Sequence, residues 1–240
     1  MVNPRWVDFF YNRQKGWIDG TVLFIDTLKK YCNPNFVVLD LGAGSAEEKP
    51  ESYSIKGLVK VNIGVDINKE IYKNKIVDKR VLGNVYSLPF GEEAFDIIYA
   101  DYILEHIRFA DDFVKEVRRV LKKGGFFIFR TPNAYHYVPL TAKAVSKISK
   151  FALLNFMRKY GSKNEISSLC YKMNTAGRLK KLFLRNGFSL DLLQLIEKEP
   201  SYLMFNAWPF LMGTLYERVV NFTELLAFLR SSIMGVFKRC

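Results

Sequence analysis

Val37-Val38-Leu39-Asp40-Leu41-Gly42-Ala43-Gly44 is the stretch that decides this 240-residue chain. It reads as an apolar strand running straight into a tight glycine turn. A second apolar run ends in Gly64-Val65-Asp66, which places a carboxylate 22 positions after Gly44. A backbone stripped of side chains can approach a ligand closely, and an acid at the end of the next strand can take a pair of ribose hydroxyls. The pairing implies an adenosine-containing cofactor.

The same alternation continues on both sides. Residues 5–31 read as one or two aromatic-rich amphipathic helices ahead of a first strand over Phe36–Leu41. A second strand is expected over Leu58–Asp66, a short third over Arg80–Leu82, and a fourth over Phe95–Ala100 after the turn Pro89-Phe90-Gly91. From Asp111 to Leu121, apolar Phe113, Val114, Val117, Val120 and Leu121 recur at helical spacing. Lys122-Lys123-Gly124-Gly125 then reads as a helix end, with a fifth strand over Phe126–Arg130. Thr175 to Asn186 is a further capped helix closed by Gly187, Phe188–Leu195 has strand composition, and Ile233–Lys238 can close the sheet. Strands alternating with helices predict an α/β fold, a Rossmann-like doubly wound, mostly parallel seven-stranded sheet with helical insertions forming a lid.

Composition narrows the class. Apolar residues at 49% and charged residues at 25% suit a chain that can bury a full core. Cys32, Cys170 and Cys240 are odd in number and widely spaced, which argues against a disulfide framework or a zinc site. The uncharged stretch Pro200–Tyr216 is too short and too broken to span a bilayer, which takes about 20 apolar residues. With no clean apolar run at the N-terminus, a cytoplasmic location is expected. The net charge of +12 is uneven: between Ala134 and Asn186 lie eleven Lys and Arg but one acid, Glu165. Leu140–Tyr160 in that region reads as an amphipathic basic helix carrying Lys143, Lys147 and Lys150. An anionic partner follows as an expectation, with peripheral contact at the inner face of a membrane as one form of it. A plain solvated face is the alternative.

A dinucleotide site needs GxGxxG, with pyrophosphate on the N-terminus of the helix that follows. Here Glu47 occupies the third glycine position and would set a negative charge beside the phosphates. A cofactor with a ribose, an adenine and a cationic end fits better.

These elements resemble those of class I S-adenosylmethionine-dependent methyltransferases, in the methyltransferase type 11 group that includes quinone-biosynthesis enzymes. The resemblance is carried by Val38–Gly44, Gly64-Val65-Asp66, Leu88-Pro89-Phe90 with Phe95-Asp96-Ile97-Ile98, Leu104-Glu105-His106-Ile107, and Arg119–Gly125. It covers residues 37–130; the flanking parts match loosely, with a layout also similar to bacterial glycan and lipid biosynthesis methyltransferases. Four parts follow: an N-terminal helical cap over 1–35, the cofactor-binding core over 36–133, a basic helical insertion over 134–173, and the end of the sheet over 174–240 with an aromatic helical insertion at about 200–230.

The resemblance implies S-adenosyl-L-methionine as cofactor. Gly42, Ala43 and Gly44 would carry the close backbone approach, with Asp40 beneath, near the amino group. Asp66 would take both ribose hydroxyls, Asn84 the adenine amino group, and Ile67 and Val85 the adenine faces, with Asp101 at the edge of the same site. Ala46 replaces the family's third glycine, and Pro50 breaks the helix that usually follows, so Glu47–Lys56 is expected to be irregular. A hydroxyl acceptor needs its proton removed. Asp101 and Tyr102 at the strand end, His106 just beyond, and His136 after the fifth strand are the candidates, and no metal is implied. The acceptor is expected to be a small molecule, a hydroxyl of a glycan, lipid or lipid-linked intermediate that carries phosphate. RNA methylation and a degenerate fold kept for binding are the alternatives.

Overall fold

In the computed structural model, residues 2–12, 19–47, 49–141 and 169–240 are described. Two helices lead the chain, α1 (Pro4–Tyr11) and α2 (Gly20–Tyr31). Asn3 and Asp19 cap them by accepting the Arg5 and Thr21 N–H groups, so each helix starts where a short polar side chain can satisfy an orphan donor.

Seven strands follow: β1 (Val37–Leu41), β2 (Val61–Asp66), β3 (Lys79–Leu82), β4 (Phe95–Asp101), β5 (Leu121–Pro132), β6 (Phe188–Ile196) and β7 (Ser232–Arg239). They form one sheet in the order β3-β2-β1-β4-β5-β7-β6. All neighbours from β3 to β5 are parallel, whereas β7 runs antiparallel between β5 and β6. The order reverses between β1 and β4, so a crevice opens at the carboxyl ends of these strands.

Each strand sorts its side chains onto two faces. Leu39 and Leu41 of β1 join Ile98, Phe127 and Phe129 in a core covered by α3 (Ala110–Val120) and α4 (Ala176–Arg185). Val38 joins Ile97, Tyr99, Ile128 and Met234 under Phe24 and Leu28 of α2 on the other face. Burial on both faces explains why these strands read as continuous apolar runs. Arg119 of α3 donates to the carbonyls of Leu88 and Phe90 while Glu116 accepts the Leu88 N–H, which fixes the Leu88-Pro89-Phe90 turn against the helix.

Two strand starts differ from the sequence reading by three residues or more. β2 starts at Val61 rather than Leu58, because Leu58 is exposed beside a local bridge of Lys56 with Val59. β5 starts at Leu121, five residues early: α3 stops at Val120, and Lys122–Gly125 form an irregularity between the Phe95–Leu121 and Ile97–Phe126 pairs. The expected basic helix over 140–160 lies outside the described residues apart from a helical turn over 137–141. The aromatic block after Pro200 contains α5 (Ala207–Phe222).

Candidate active site

The turn after β1 is built by backbone that only glycine adopts without cost. Gly42 and Gly44 have φ of +69° and +55°. The Gly42 N–H donates to the Val65 carbonyl at 2.8 Å, which draws the turn onto β2. A Cβ at Gly42 would lie 1.9 Å from Ile103 Cδ1, so this residue is packed from behind. A Cβ at Gly44 would meet nothing within 4 Å, so the turn presents bare backbone to open space. Ala46 also has positive φ, +49°, a conformation costing an alanine about 1–2 kcal/mol. Glu47 is exposed and points towards Lys73, 3.8 Å away.

Asp66 ends β2 beside this turn. Its Oδ2 accepts the Gly44 N–H at 3.0 Å and its Oδ1 the Asn68 N–H at 2.8 Å. Each oxygen keeps a lone pair, so the carboxylate is fixed in place yet able to accept a diol. Ile67 is 78% exposed next to it, Val85 is half-buried, and Asn84 is exposed with its Oδ1 accepting the Tyr86 N–H. Asn84 would therefore have to share that oxygen with a ligand amino group. Asn74, which the sequence reading passed over, is fully buried. Its Nδ2 donates to the carbonyls of Ala43 and Gly44 at 2.9 and 3.1 Å.

Asp40 lies buried on β1, paired in register with Gly64 and Tyr99. Burial pushes its carboxyl up to about 7; Lys49 and a hydrogen bond with Tyr99 act the other way. The Tyr99 hydroxyl also accepts from Asn62 Nδ2 at 3.1 Å. A buried acid held at this threshold favours a cation placed beside it.

The acceptor-side candidates separate. Asp101 and buried Arg130 form a bidentate ion pair, Nε–Oδ1 2.8 Å and Nη2–Oδ2 3.0 Å, and Arg130 Nη1 donates to the Thr21 hydroxyl at 2.9 Å. Taking a proton would cost Asp101 this pair, so the structure argues against it as a base and makes it an anchor between β4, β5 and α2. Tyr102, with φ of +58°, turns the chain away, and its hydroxyl shares a hydrogen bond with Ser232. His106 is half-buried in a single 3-10 turn, Leu104–His106. Its neighbour Glu105 is buried, accepting the Thr131 hydroxyl at 3.1 Å and, through its carbonyl, the Cys170 N–H at 2.7 Å.

His136 is buried rather than open at a mouth. Its Nε2 lies 3.7 Å from Oε2 of Glu197, the residue just past β6. Burial holds His136 down at about 4, with Lys198 adding to the effect, and pushes Glu197 up to about 7. The imidazole is thus neutral above pH 4, and Glu197 ionises only near neutrality. Glu197 Oε2 takes no hydrogen bond among the described residues. Tyr137 and Tyr216 pack around the imidazole at ring distances of 4.1 and 5.7 Å. Glu197 was not singled out in the sequence because Ile-Glu-Lys-Glu reads as a charged exit from a strand. Among the described residues, no cluster of His, Cys, Asp or Glu could hold a metal ion. One cleft of about 540 Å³ opens at the opposite, amino-terminal edge of the sheet, where Arg118, Arg119, Arg185 and Arg239 line it.

A family model described as a methyltransferase domain matches residues 39–129, from β1 to β5. Over these residues the chain is similar to the type 11 methyltransferases. The chain is 30% identical over 138 residues to the uncharacterized methyltransferase YcgJ of Bacillus subtilis, across 54% of this chain and 52% of the relative. It is 30% identical over 137 residues to the ubiquinone/menaquinone biosynthesis C-methyltransferase UbiE of Ectopseudomonas mendocina, across 47% and 54%. The chain thus spans about half the length of these curated relatives. The crystal structure of YcgJ superposes with a TM-score of 0.58 at 19% identity, over 90% of this chain and 98% of that one, a likeness of fold. The family match ends within β5, and β6, β7 and the helices around them lie outside it.

Proposed function

We propose that this chain is an S-adenosylmethionine-dependent methyltransferase acting on a hydroxyl of a glycan, lipid or lipid-linked small molecule. The observation that carries the reading is the Gly42–Gly44 turn, open at Gly44, with Asp66 beside it and Asp40 buried beneath. These groups fit the cofactor: a diol acceptor, a buried acid for a cationic end, and exposed Ile67 for an apolar ring face. When bound, the cofactor supplies a methyl group already activated on a sulfonium sulfur.

The chain's own residues then have three tasks: to align the acceptor, to exclude water, and to hold the proton that a hydroxyl gives up. His136 suits the last, since its imidazole is neutral and, with Nε2 facing Glu197, would accept the proton at Nδ1. Glu197, 3.7 Å away, would stabilise the imidazolium once ionised. His106, at the exit of β4, is the alternative acceptor of that proton. The basic stretch from Ala134 to Asn186 extends the reading to a phosphate-bearing acceptor and to peripheral contact with an anionic membrane.

Calorimetric titration with S-adenosylmethionine, S-adenosylhomocysteine and NAD tests the cofactor. Micromolar binding of the first two and none of NAD is expected. Asp66→Ala should weaken S-adenosylmethionine binding about 100-fold, since hydrogen bonds to a charged acceptor contribute about 1.5–3 kcal/mol each. Unchanged affinity would remove the ribose assignment.

A further inference from the structure

Helix α5 turns five large apolar side chains to solvent: Trp208, Met212, Leu215, Val219 and Phe222. Their steps of four and three residues place them on one stripe along the helix. The stripe continues beyond the helix into Leu225 and Phe228. Exposure reaches 77% at Trp208, 84% at Leu225 and 90% at Phe222. The opposite side of α5 is firmly docked. Phe210 is buried with its ring against Phe10 and Tyr11 of α1, and Arg218 Nη2 donates to the Phe10 carbonyl at 3.0 Å. With about 150–250 Å² on each aromatic side chain, the stripe exposes on the order of 800 Å². The largest apolar patch on a typical monomer is about 300–600 Å².

Charge says what covers it. Within Ala207–Phe222 the only ionisable groups besides Tyr216 are Glu217, buried, and Arg218 on the flank. Glu224, past the helix end, is paired with Arg230 at 2.8 Å. The Tyr135 ring lies 6.5 Å from Phe228 and the Tyr137 ring 5.0 Å from Tyr216. The stretch that opens the basic part of the sequence, with eleven cationic residues against one acid over 134–186, thus begins on the rim of the apolar stripe. An apolar stripe on a chain of net charge +12 complements an anionic bilayer. A second copy would set two chains of +12 against each other. A nucleic acid would leave the stripe in water.

We propose that α5 and the turn after it lie flat in the interface of an anionic membrane, with the Trp208–Phe222 stripe in the boundary between headgroups and acyl chains. Sixteen residues give a helix of about 24 Å. No described helix is long and apolar enough to cross a bilayer, in keeping with a helix lying on it. The inference rests on the peripheral-membrane part of the proposed function and assigns it a face.

The test is co-sedimentation of the full chain with phosphatidylcholine vesicles, with and without phosphatidylglycerol, in parallel with light scattering and calorimetric titration with S-adenosylmethionine. Binding to the anionic vesicles alone, weakening with salt, is expected. Trp208→Ser with Phe222→Ser should lower that binding at least about tenfold, since each aromatic leaves apolar surroundings. Cofactor affinity and melting temperature should stay unchanged, because both residues are exposed. Vesicle binding that the double substitution leaves intact would overturn the face while sparing the membrane reading. No vesicle binding would overturn both. A dimer that the double substitution dissociates would make a second copy the occupant and overturn the proposal. The cofactor titration reports on methyltransferase function independently of every arm.

Discussion

Asp40 is the residue whose chemistry reaches furthest from its position. Its usual carboxyl value of 3.8 rises to about 7 because burial penalises the charged form. In stability terms, a raised folded value gives a contribution that is whole below about pH 4 and is lost as pH climbs through 7. In binding terms, a cationic group beside Asp40 needs the ionised form. We therefore expect S-adenosylmethionine affinity to rise up to about tenfold per pH unit below 7 and to level off above it. Titration calorimetry between pH 5.5 and 8 reads this, and Asp40→Asn should bind weakly with a flat profile. A wild-type profile as flat as that of the variant would separate Asp40 from the cofactor. Much of the cradle was legible at this scale, since Gly42, Gly44 and Asp66 are set by the local demands of a turn and a strand end. Asn74 and Glu197 were not. Their side chains look like ordinary polar residues until the sheet closes and buries them.

At the scale of elements, legibility followed the hydrophobic period. The helix α3 stood out because Phe113, Val114, Val117 and Val120 all face one core. The start of β5 did not, because Lys122-Lys123-Gly124-Gly125 has the composition of a helix end whether or not a strand has already begun. β7 was readable as a strand but not as the antiparallel member between β5 and β6, since its place depends on partners more than a hundred residues away in one case. Its fit there is tight. A Cβ at Gly235 would lie 2.6 Å from Cζ of Phe129, whose ring stacks with Phe127, Phe183 and Phe237. Gly235→Ala should destabilise the protein by about 1–3 kcal/mol, read as a lower urea midpoint. An unchanged midpoint would mean that the stacked rings move freely.

For the molecule as a whole, the proposed cofactor cradle and acceptor side share the carboxyl edge of one sheet. The sheet's connectivity has a further result in time. β5 ends at Pro132 and β7 begins at Ser232, so a ribosome adding about 5–20 residues per second needs roughly 5–20 s to bridge the hundred residues between them. Throughout that interval the outer edge of β5 has no strand beside it, and β6 emerges with none to pair with. Nascent chains arrested before Ser232 should thus stay open to protease where the full-length chain resists; resistance before that point would show β6 closing on β5 first. Translation speed across residues 133–231 becomes a variable in whether this protein reaches its fold or sticks to a neighbour on the same messenger.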